Sequence, residues 1–237
     1  MGTGTGTIAI FGAGPALGMA VARRFGREGF RVALVARDQA HLATLASELA
    51  AEDIEAMTFP ADLGDRAAAL RVTREIQASL GPVDVLEYSP GGDSSLRREP
   101  SQIEVPVAEA ALGKFVLTPI ALVRQVLPGM LERGDGAVLA ALGASAKYPM
   151  PRLAGGGMAL AALRSYLLAL HAELEPRGVY AGALLIGALI EGSAAHRNAA
   201  AWGNGRAVGT VTAADLAGRL WDMYTKRDRA EEEVIRL

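Results

Sequence analysis

Short apolar segments typical of β-strands alternate along this chain with longer segments of helical periodicity. A chain that alternates in this way folds its strands into a parallel sheet and covers both faces with helices. We therefore predict an α/β fold in three layers, a doubly wound parallel sheet, in a single domain over residues 1–237. The predicted strands are Ile8–Phe11, Arg31–Val35, Ala56–Phe59, Val83–Tyr88, Ala137–Leu142, Tyr180–Ile186 and Glu233–Ile235. The predicted helices lie at about Pro15–Glu28, Gln39–Glu52, Arg66–Leu80, Val107–Leu131, Gly157–Leu174 and Ala213–Lys226.

The composition argues against several partners and sites. The 24 Lys and Arg residues are spread among 26 Asp and Glu residues without a basic stripe, so we expect neither nucleic acid nor a membrane as a partner. The chain has no cysteine, and His41, His171 and His196 have no ligand spacing, so no metal site is expected. The start lacks the features of a signal peptide, and no apolar run reaches about 18 residues without charges or strong breakers. These features predict a soluble cytoplasmic protein whose residues 1–6 form a flexible N-terminus.

A glycine-rich turn joins the first predicted strand to the first predicted helix. Its sequence is GAGPALG, and its glycines permit a tight turn and a close approach of the backbone to a pyrophosphate at the helix N-terminus. A GxG turn alone is weak evidence. The strand before it, the helix after it and a second strand that ends about 20 residues further on together predict a dinucleotide site. Its candidate residues are Gly12, Gly14, Pro15, Ala16, Leu17 and Gly18.

The end of the second predicted strand indicates which dinucleotide binds. Selectivity for NAD(H) usually places a carboxylate there to bind the ribose 2′-hydroxyl, but this chain has Ala36 followed by Arg37. Because an arginine can pair with a 2′-phosphate, the sequence favours NADP(H) as the cofactor over NAD(H). In the alternative interpretation, Arg37 is a solvated charge and Asp38 caps the next helix or itself contacts the ribose.

These motifs resemble the short-chain dehydrogenase/reductase family over nearly the whole chain. GAGPALG stands where the family has TGxxxGxG, VDVLEYSPGG where it has DVLVNNAGG, and LLIGALIEG where it has a PG-containing segment. RQVLPGMLERGDGAVL is similar to the end of a family helix and its fifth strand. The resemblance implies a Rossmann-type fold and adds further cofactor-binding candidates, which are Asp62, Leu63, Ser89, Pro90, Gly91, Gly187 and Leu189.

The chain departs from the family where the family holds its catalytic residues. Alignment on GAVL and ALRSY puts Gly143 at the family's Ser, Gly156 at its Tyr and Leu160 at its Lys. Counting back from LPGM puts Phe115 at its Asn. In the family the Tyr donates a proton, the Lys lowers the pKa of that Tyr and holds the nicotinamide ribose, the Ser positions the substrate carbonyl and the Asn orders a relay water. Glycine, leucine and phenylalanine side chains cannot perform these roles. Ordinary ketone reduction by the family's mechanism is therefore not expected.

Two residues are candidate catalytic replacements. Tyr148 lies in the loop after the fifth strand, which borders the family's substrate pocket, although a Tyr before Pro149 can equally be a packing residue. Glu191 stands near the family's Thr that touches the nicotinamide carboxamide, and it can accept amide protons or act as an acid if burial raises its pKa. Ser145 as a displaced hydroxyl and His171 as a base are weaker candidates, since a loop serine and a core or interface histidine are simpler interpretations.

We expect an NADP(H)-binding oxidoreductase that transfers hydride to an activated small-molecule acceptor, an iminium or a conjugated enone, oriented against the nicotinamide. One alternative is a redox-silent dinucleotide-binding sensor, subunit or scaffold, and another is a non-redox cyclase or lyase on the same fold. The resemblance, together with the wide apolar surfaces of the helices Val107–Leu131 and Gly157–Leu174, predicts a homodimer or homotetramer.

Overall fold

A seven-stranded parallel sheet forms the centre of the protein. The computed structural model describes residues 6–91, 96–198 and 208–236. The strands of the sheet are β1 (Thr7–Phe11), β2 (Arg31–Ala36), β3 (Ala56–Pro60), β4 (Val85–Tyr88), β5 (Gly136–Gly143), β6 (Val179–Gly187) and β9 (Glu231–Ile235). Their order is β3-β2-β1-β4-β5-β6-β9, and a separate parallel pair joins β7 (Leu189–Ile190) to β8 (Thr210–Val211). Every pairing in the large sheet is parallel, which confirms the predicted sheet.

Helices cover both faces of this sheet. They are α1 (Leu17–Arg27), α2 (Gln39–Ala50), α3 (Arg66–Leu80), α4 (Val105–Leu112), α5 (Thr118–Arg133), α6 (Ala154–Leu174), α7 (Ala194–Arg197) and α8 (Ala213–Lys226). One apolar core lies between the sheet and α1, α2 and α8, and a second lies between the opposite face and α3, α5 and α6. The predicted three layers in one doubly wound domain are therefore confirmed.

The central strand β1 shows why the sequence gives this arrangement. All five of its side chains are buried, as expected for a parallel strand with helices on both sides. Its side chains alternate between the two cores, with Ile8 and Ile10 below α1 and Ala9 and Phe11 on the opposite face. Side-chain caps then fix where helices begin, as Asp65 does by accepting the Ala68 N–H at 3.0 Å at the start of α3.

The helix predicted over Val107–Leu131 is not continuous. A π-helical turn over Gly113–Leu117 separates α4 from α5. The Tyr88 hydroxyl, at the end of β4, donates a hydrogen bond to the Lys114 carbonyl in this turn. A side chain that inserts into a helical hydrogen-bond ladder is a recognised local cause of such irregularity. Neither the turn nor the β7–β8 pair has a periodic signal in the sequence.

The structure also adds the short helix α7 and shifts several element boundaries. Helix α1 begins at Leu17 rather than Pro15, and α6 begins at Ala154 rather than Gly157. Strand β4 begins at Val85 rather than Val83. The flexible N-terminus predicted for residues 1–6 lies outside the described residues except for Gly6, whose carbonyl accepts the Arg31 N–H at 2.9 Å.

Two helical stretches have wide apolar surfaces. By length and composition alone, Val105–Arg133 and Pro151–Arg177 could each cross a membrane. In the most apolar 18-residue segment of each, 28% and 33% of the residues are buried. Both use one side to cover the same sheet face, through residues such as Leu122 and Leu163. Core helices of soluble α/β proteins have the same character, and the absence of a membrane partner stays a prediction.

Candidate functional site

The C-terminal ends of the parallel strands bring most of the predicted cofactor residues to one edge of the sheet. Gly12 follows β1, Arg37 follows β2, Ser89 follows β4, and Gly187 ends β6. Between β1 and β4 the chain reverses its direction of travel across the sheet, because β2 lies on one side of β1 and β4 on the other. Such a switch point opens the crevice in which α/β proteins bind ligands.

The glycine turn has the shape that a bound pyrophosphate requires. Gly12 has φ of +107°, and a Cβ there would lie 2.6 Å from the Ser89 carbonyl oxygen. A Cβ on Gly18 would lie 2.8 Å from the Ala13 Cα, so this glycine permits close packing of α1 on the turn. At Gly14, by contrast, the nearest described atom would be 3.9 Å away, which leaves space beside the backbone.

Helix α1 begins directly after this space. Its N-cap residue, Ala16, provides no side-chain hydrogen bond, and its first turn has no acidic residue. The amide groups of the first turn are thus not capped by a side chain of the described residues. Uncapped amides and the positive end of the helix dipole suit a phosphate group.

The ends of β2 and β3 form the part of the site where the adenosine is expected. Arg37 is exposed at the end of β2. Asp38 is engaged as the cap of α2, because its side chain accepts the His41 N–H at 3.0 Å. Asp62 is exposed and accepts the Gly64 N–H at 2.9 Å, while the neighbouring Leu63 is buried. Of the two charged residues at the end of β2, Asp38 is thus used as a helix cap and Arg37 is not.

The four positions that hold catalytic residues in the resembled family converge in this fold. A Cβ on Gly143 would lie 3.7 Å from the Leu160 Cδ1. Leu160 packs against the apolar cluster that contains Phe115. Gly156 lies four residues before Leu160 on α6 and hence on the same helical face. The arrangement of the positions is kept, but their character is apolar.

Gly156 differs from the two glycines beside it. A Cβ on Gly155 would clash with the Leu96 carbonyl oxygen, and one on Gly157 would lie 3.3 Å from the Ser145 Cβ. At Gly156 a Cβ would meet no described atom within 4 Å outside its own stretch of helix. Packing therefore explains the glycines on either side, whereas position 156 faces no packing neighbour in the part of the chain that the structure describes.

Ser145 lies close to these positions. A Cβ on Gly143 would be 3.6 Å from the Ser145 Oγ, and Ser145 is only 9% exposed. The Ser145 hydroxyl is thus beside the position of the family's Ser. The other weaker candidate, His171, is elsewhere: its Nδ1 lies 2.8 Å from the Ala181 carbonyl oxygen and its ring stands edge-on to Tyr180.

Tyr148 belongs to a charged cluster on the edge strand β9. Its hydroxyl donates a hydrogen bond to the Glu233 Oε2 at 2.8 Å, and its side chain is 44% exposed. Lys147 pairs with Glu231 at 2.8 Å and with Glu233, and Arg164 of α6 also pairs with Glu231. The cluster ties the loop after β5 to β9. Sequence reasoning missed it because its carboxylates lie more than 80 residues away along the chain.

The hydrogen bond to Glu233 raises the pKa of Tyr148. This direction is opposite to the one that the family's Lys imposes on its catalytic Tyr. A catalytic role of Tyr148 stays a prediction, and its hydroxyl is directed at β9 in this structure.

Glu191 lies in the turn after β7, where its N–H donates to the Val211 carbonyl at 3.0 Å. It is exposed, and its predicted role as an acid stays a prediction. Its other predicted role, accepting protons from the nicotinamide amide, stays a prediction.

Sequence reasoning did not single out Glu87. This residue is fully buried in β4, and neither of its carboxylate oxygens has a hydrogen-bond partner within the described residues. Burial raises the pKa of Glu87 to about 8, a rise that the Ser89 hydroxyl opposes. The sequence signal was a glutamate inside the apolar run VDVLEY, where the resembled family has a valine.

Comparison with known proteins agrees with this geometry. The family model described as short chain dehydrogenase matches residues 6–200. A short chain dehydrogenase of Pseudocercospora fijiensis is 34% identical over 182 residues, which cover 75% of this chain and 58% of that protein. The chain thus spans less than two thirds of the length of this relative.

Solved structures show the same fold. A single-substitution variant of actinorhodin polyketide ketoreductase with NADPH superimposes with a TM-score of 0.86 at 21% identity, covering 98% of this chain and 96% of that one. The NADPH-bound short chain oxidoreductase of Pseudomonas aeruginosa PAO1, which contains an atypical catalytic center, gives a TM-score of 0.81 at 21% identity, covering 97% and 95%.

Proposed function

The chain belongs to the short-chain dehydrogenase family, and we propose that it is an NADP(H)-dependent oxidoreductase whose active site works without the family's Tyr and Lys. The observation that carries this proposal is the contrast between the two ends of the site. The glycine turn and the start of α1 keep the shape that a dinucleotide needs, whereas Gly143, Gly156 and Leu160 provide no proton donor.

The residues of the cofactor end fit NADP(H). Gly12 lets the turn pack closely against Ser89, Gly14 leaves space for a pyrophosphate beside the backbone, and the start of α1, which no side chain caps, provides amide groups and a favourable dipole. We propose that Arg37, which is exposed, pairs with the 2′-phosphate and that Asp62 and Leu63 flank the adenine. The NADPH complexes among the structural neighbours support this choice.

When bound, NADPH supplies a hydride from its nicotinamide ring. The chain's own contribution is to orient the acceptor and to exclude water around the transfer. Phe115 and Leu160 line an apolar region, and Gly156 leaves space for part of the acceptor. Ser145 lies beside the family's Ser position, and its hydroxyl can hydrogen-bond to an acceptor.

The acceptor class follows from the missing donor. A ketone that receives hydride becomes an alkoxide, which requires a proton or an oxyanion partner. An iminium carbon receives the hydride while the nitrogen takes the electron pair of the C=N bond, so the charge disappears and no proton is needed. A conjugated enone spreads the new charge over an enolate, which solvent protonates. We therefore propose an iminium or a conjugated enone as the acceptor.

A second candidate function is redox-silent dinucleotide binding in a sensor, subunit or scaffold. It is favoured by the apolar replacement of all four catalytic positions, Gly143, Gly156, Leu160 and Phe115.

One experiment separates the two candidates. NADPH and NADH binding is measured by fluorescence titration, and NADPH oxidation is then followed with a panel of ketones, cyclic imines and enones. The oxidoreductase proposal expects oxidation with imines or enones and none with simple ketones. Binding without oxidation across the panel supports the redox-silent candidate, and efficient reduction of simple ketones contradicts the proposed mechanism.

We also propose that the protein is a homo-oligomer. Leu112, Leu117 and Met158 are 38%, 47% and 39% exposed on α4, the π-helical turn and α6. These large apolar side chains are on the helices that the family resemblance assigns to subunit contacts, and a second copy of the chain would bury them.

A further inference from the structure

Glu87 is a carboxyl group in the middle of the sheet without a counter-charge. Its backbone pairs with Ile10 of β1 on one side and with Leu139 of β5 on the other. Both neighbours belong to the apolar core beneath α1 and α8. The residue is 0% exposed, and both of its carboxylate oxygens lack a hydrogen-bond partner among the described residues. An ionised carboxylate in such a place is strongly unfavourable, so the neutral acid is the form that this site accepts.

The described elements around Glu87 do not offer a charge to offset that of an ionised carboxylate. Strands β1 and β5 and the turn over residues 12–18 contain no ionisable side chain. The described charges on α1 and α8 pair with other groups, as in Arg23–Glu52, Arg24–Glu28, Arg27–Glu52, Arg219–Asp215 and Lys226–Asp222. Tyr180, from β6 in the same core, donates its hydroxyl hydrogen to the Arg229 carbonyl at 2.7 Å. The nearby Ser89 hydroxyl opposes the effect of burial on Glu87, although neither side chain makes a hydrogen bond among the described residues.

The segment that carries Glu87 touches the glycine turn. The Ser89 N–H donates to the Phe11 carbonyl at 3.0 Å, and a Cβ on Gly12 would lie 2.6 Å from the Ser89 carbonyl oxygen. Ile10, the partner of Glu87 in β1, is two residues before Gly12, or about 7 Å along the strand. A pyrophosphate at the turn would therefore place negative charge near Glu87, across apolar protein where screening is weak.

We propose that Glu87 holds a proton in the folded protein and that a dinucleotide pyrophosphate bound at Gly12 strengthens this hold, so that cofactor affinity falls when Glu87 ionises. The linkage rests on the proposed function, because it requires that NADP(H) binds at Gly12. The protonation of Glu87 in the folded protein does not depend on NADP(H) binding. Through Glu87, the affinity of the site for the cofactor would depend on pH. This dependence is separate from any proton transfer to a substrate.

The direction of the effect follows from the order of the two ionisations. Burial raises the pKa of Glu87 to about 8 in the cofactor-free protein, and a nearby negative charge raises the pKa further in the complex. Below the pKa of the cofactor-free protein, Glu87 is protonated in both the free protein and the complex. In this range its ionisation does not affect the affinity for NADPH. Between the pKa of the free protein and the higher pKa of the complex, binding takes up a proton and the dissociation constant rises with pH, and above both values it becomes constant again.

The test is a pH series of NADPH titrations on the full chain, with proton uptake measured by calorimetry in two buffers of different ionisation enthalpy. For the wild type we expect the dissociation constant to rise about three- to tenfold between about pH 7 and pH 9.5, with proton uptake near pH 8.5. Glu87→Gln, which resembles the neutral acid, should bind NADPH at pH 7 as the wild type does and lose both effects. Glu75→Gln, an exposed carboxylate on α3, is the matched control and should keep them.

Each outcome decides the proposal. An NADPH affinity that does not change with pH in the wild type, or that changes equally in Glu87→Gln, would overturn it. Absence of NADPH binding to the wild type at pH 7 would overturn the proposed function and the linkage together. Even then, proton binding by Glu87 can be measured from the pH dependence of unfolding of the cofactor-free protein, so failure of the proposed function is distinguishable from failure of the proton assignment.

Discussion

The Tyr148 hydroxyl donates its hydrogen bond to the Glu233 carboxylate at 2.8 Å, and so the tyrosine beside the expected substrate pocket is tied to the edge strand β9. The same strand pairs with Lys147 through Glu231 and Glu233. Lys147 and Tyr148 are adjacent in the sequence, and their contacts with Glu231 and Glu233 anchor the loop after β5 to the sheet.

We therefore expect Tyr148→Phe to lower the rate of hydride transfer by no more than about twofold on whichever acceptor turns over. A general acid typically contributes about 10²- to 10⁴-fold. The measurement is steady-state NADPH oxidation, with Glu233→Ala as the control that removes the acceptor of the same hydrogen bond. A loss of about 10²-fold in Tyr148→Phe alone would restore Tyr148 as the proton donor.

Arg37→Ala should weaken NADPH binding and leave NADH binding unchanged. The lost contact to a 2′-phosphate is charge-assisted, and such contacts contribute about 1.5–3 kcal/mol, or about 10- to 150-fold in affinity. Fluorescence titration with both cofactors gives the comparison, and Arg71→Ala on the exposed side of α3 is the control for general charge effects. Equal losses for NADPH and NADH would show that Arg37 does not recognise the phosphate.

Much of the fold could be predicted from local pattern. The strand β1 is apolar throughout, the turn after it needs glycine at position 12, and Asp38 and Asp65 cap the helices that follow them. Each of these signals lies within a few residues of the structure it specifies. The sheet order then follows from the family resemblance and the handedness of parallel connections.

The parts that could not be predicted depend on contacts between distant residues. The hydrogen bond from Tyr88 to the π-helical turn spans 26 residues, and the one from Tyr148 to Glu233 spans 85. Glu87 was visible as a glutamate in an apolar run, but its lack of a partner among the described residues is a property of the packed sheet. Exposure of Glu191 likewise depends on how the β7–β8 pair is placed.

Glu87→Gln should stabilise the protein at alkaline pH. Burial raises the pKa of Glu87 from 4.5 to about 8 on folding, so between these values the folded state binds more protons than the unfolded state and the free energy of unfolding falls as pH rises. The variant lacks this loss, and its advantage should grow across that window toward an upper limit of about 5 kcal/mol at pH 8 and above. Urea unfolding at pH 5 and pH 8.5 measures it. Equal stability differences at the two pH values would contradict the raised pKa of Glu87.

We expect the double variant Leu117→Glu, Met158→Glu to form a smaller assembly in solution than the wild type. A charge placed in each exposed apolar side-chain position makes burial against a second copy unfavourable. Light scattering at micromolar concentration should show a dimer or tetramer for the wild type and a smaller species for the double variant. Met57→Glu is the control, since Met57 is 40% exposed on β3 at the far edge of the sheet. A monomeric wild type would contradict the proposed oligomer.

Restoring the family's side chains should give this chain a ketone reductase activity. Gly156 accepts a Cβ, which would meet no described atom within 4 Å outside its own stretch of helix. A serine at Gly143 would make only ordinary contacts with Ser145 and Leu160 at 3.6 and 3.7 Å. A lysine at Leu160 would then lie one helical turn from the new tyrosine, where its charge lowers the pKa of the phenol.

We expect the triple variant Gly143→Ser, Gly156→Tyr, Leu160→Lys to reduce a simple ketone at least about 10²-fold faster than the wild type, because it gains a positioned proton donor. The matched control carries Gly156→Phe in place of Gly156→Tyr, which adds the same ring without its hydroxyl. Equal ketone reduction by the tyrosine and phenylalanine variants would show that the three substituted positions do not form a catalytic site in this protein, while a gain confined to the tyrosine variant would show that the site lacked a proton donor.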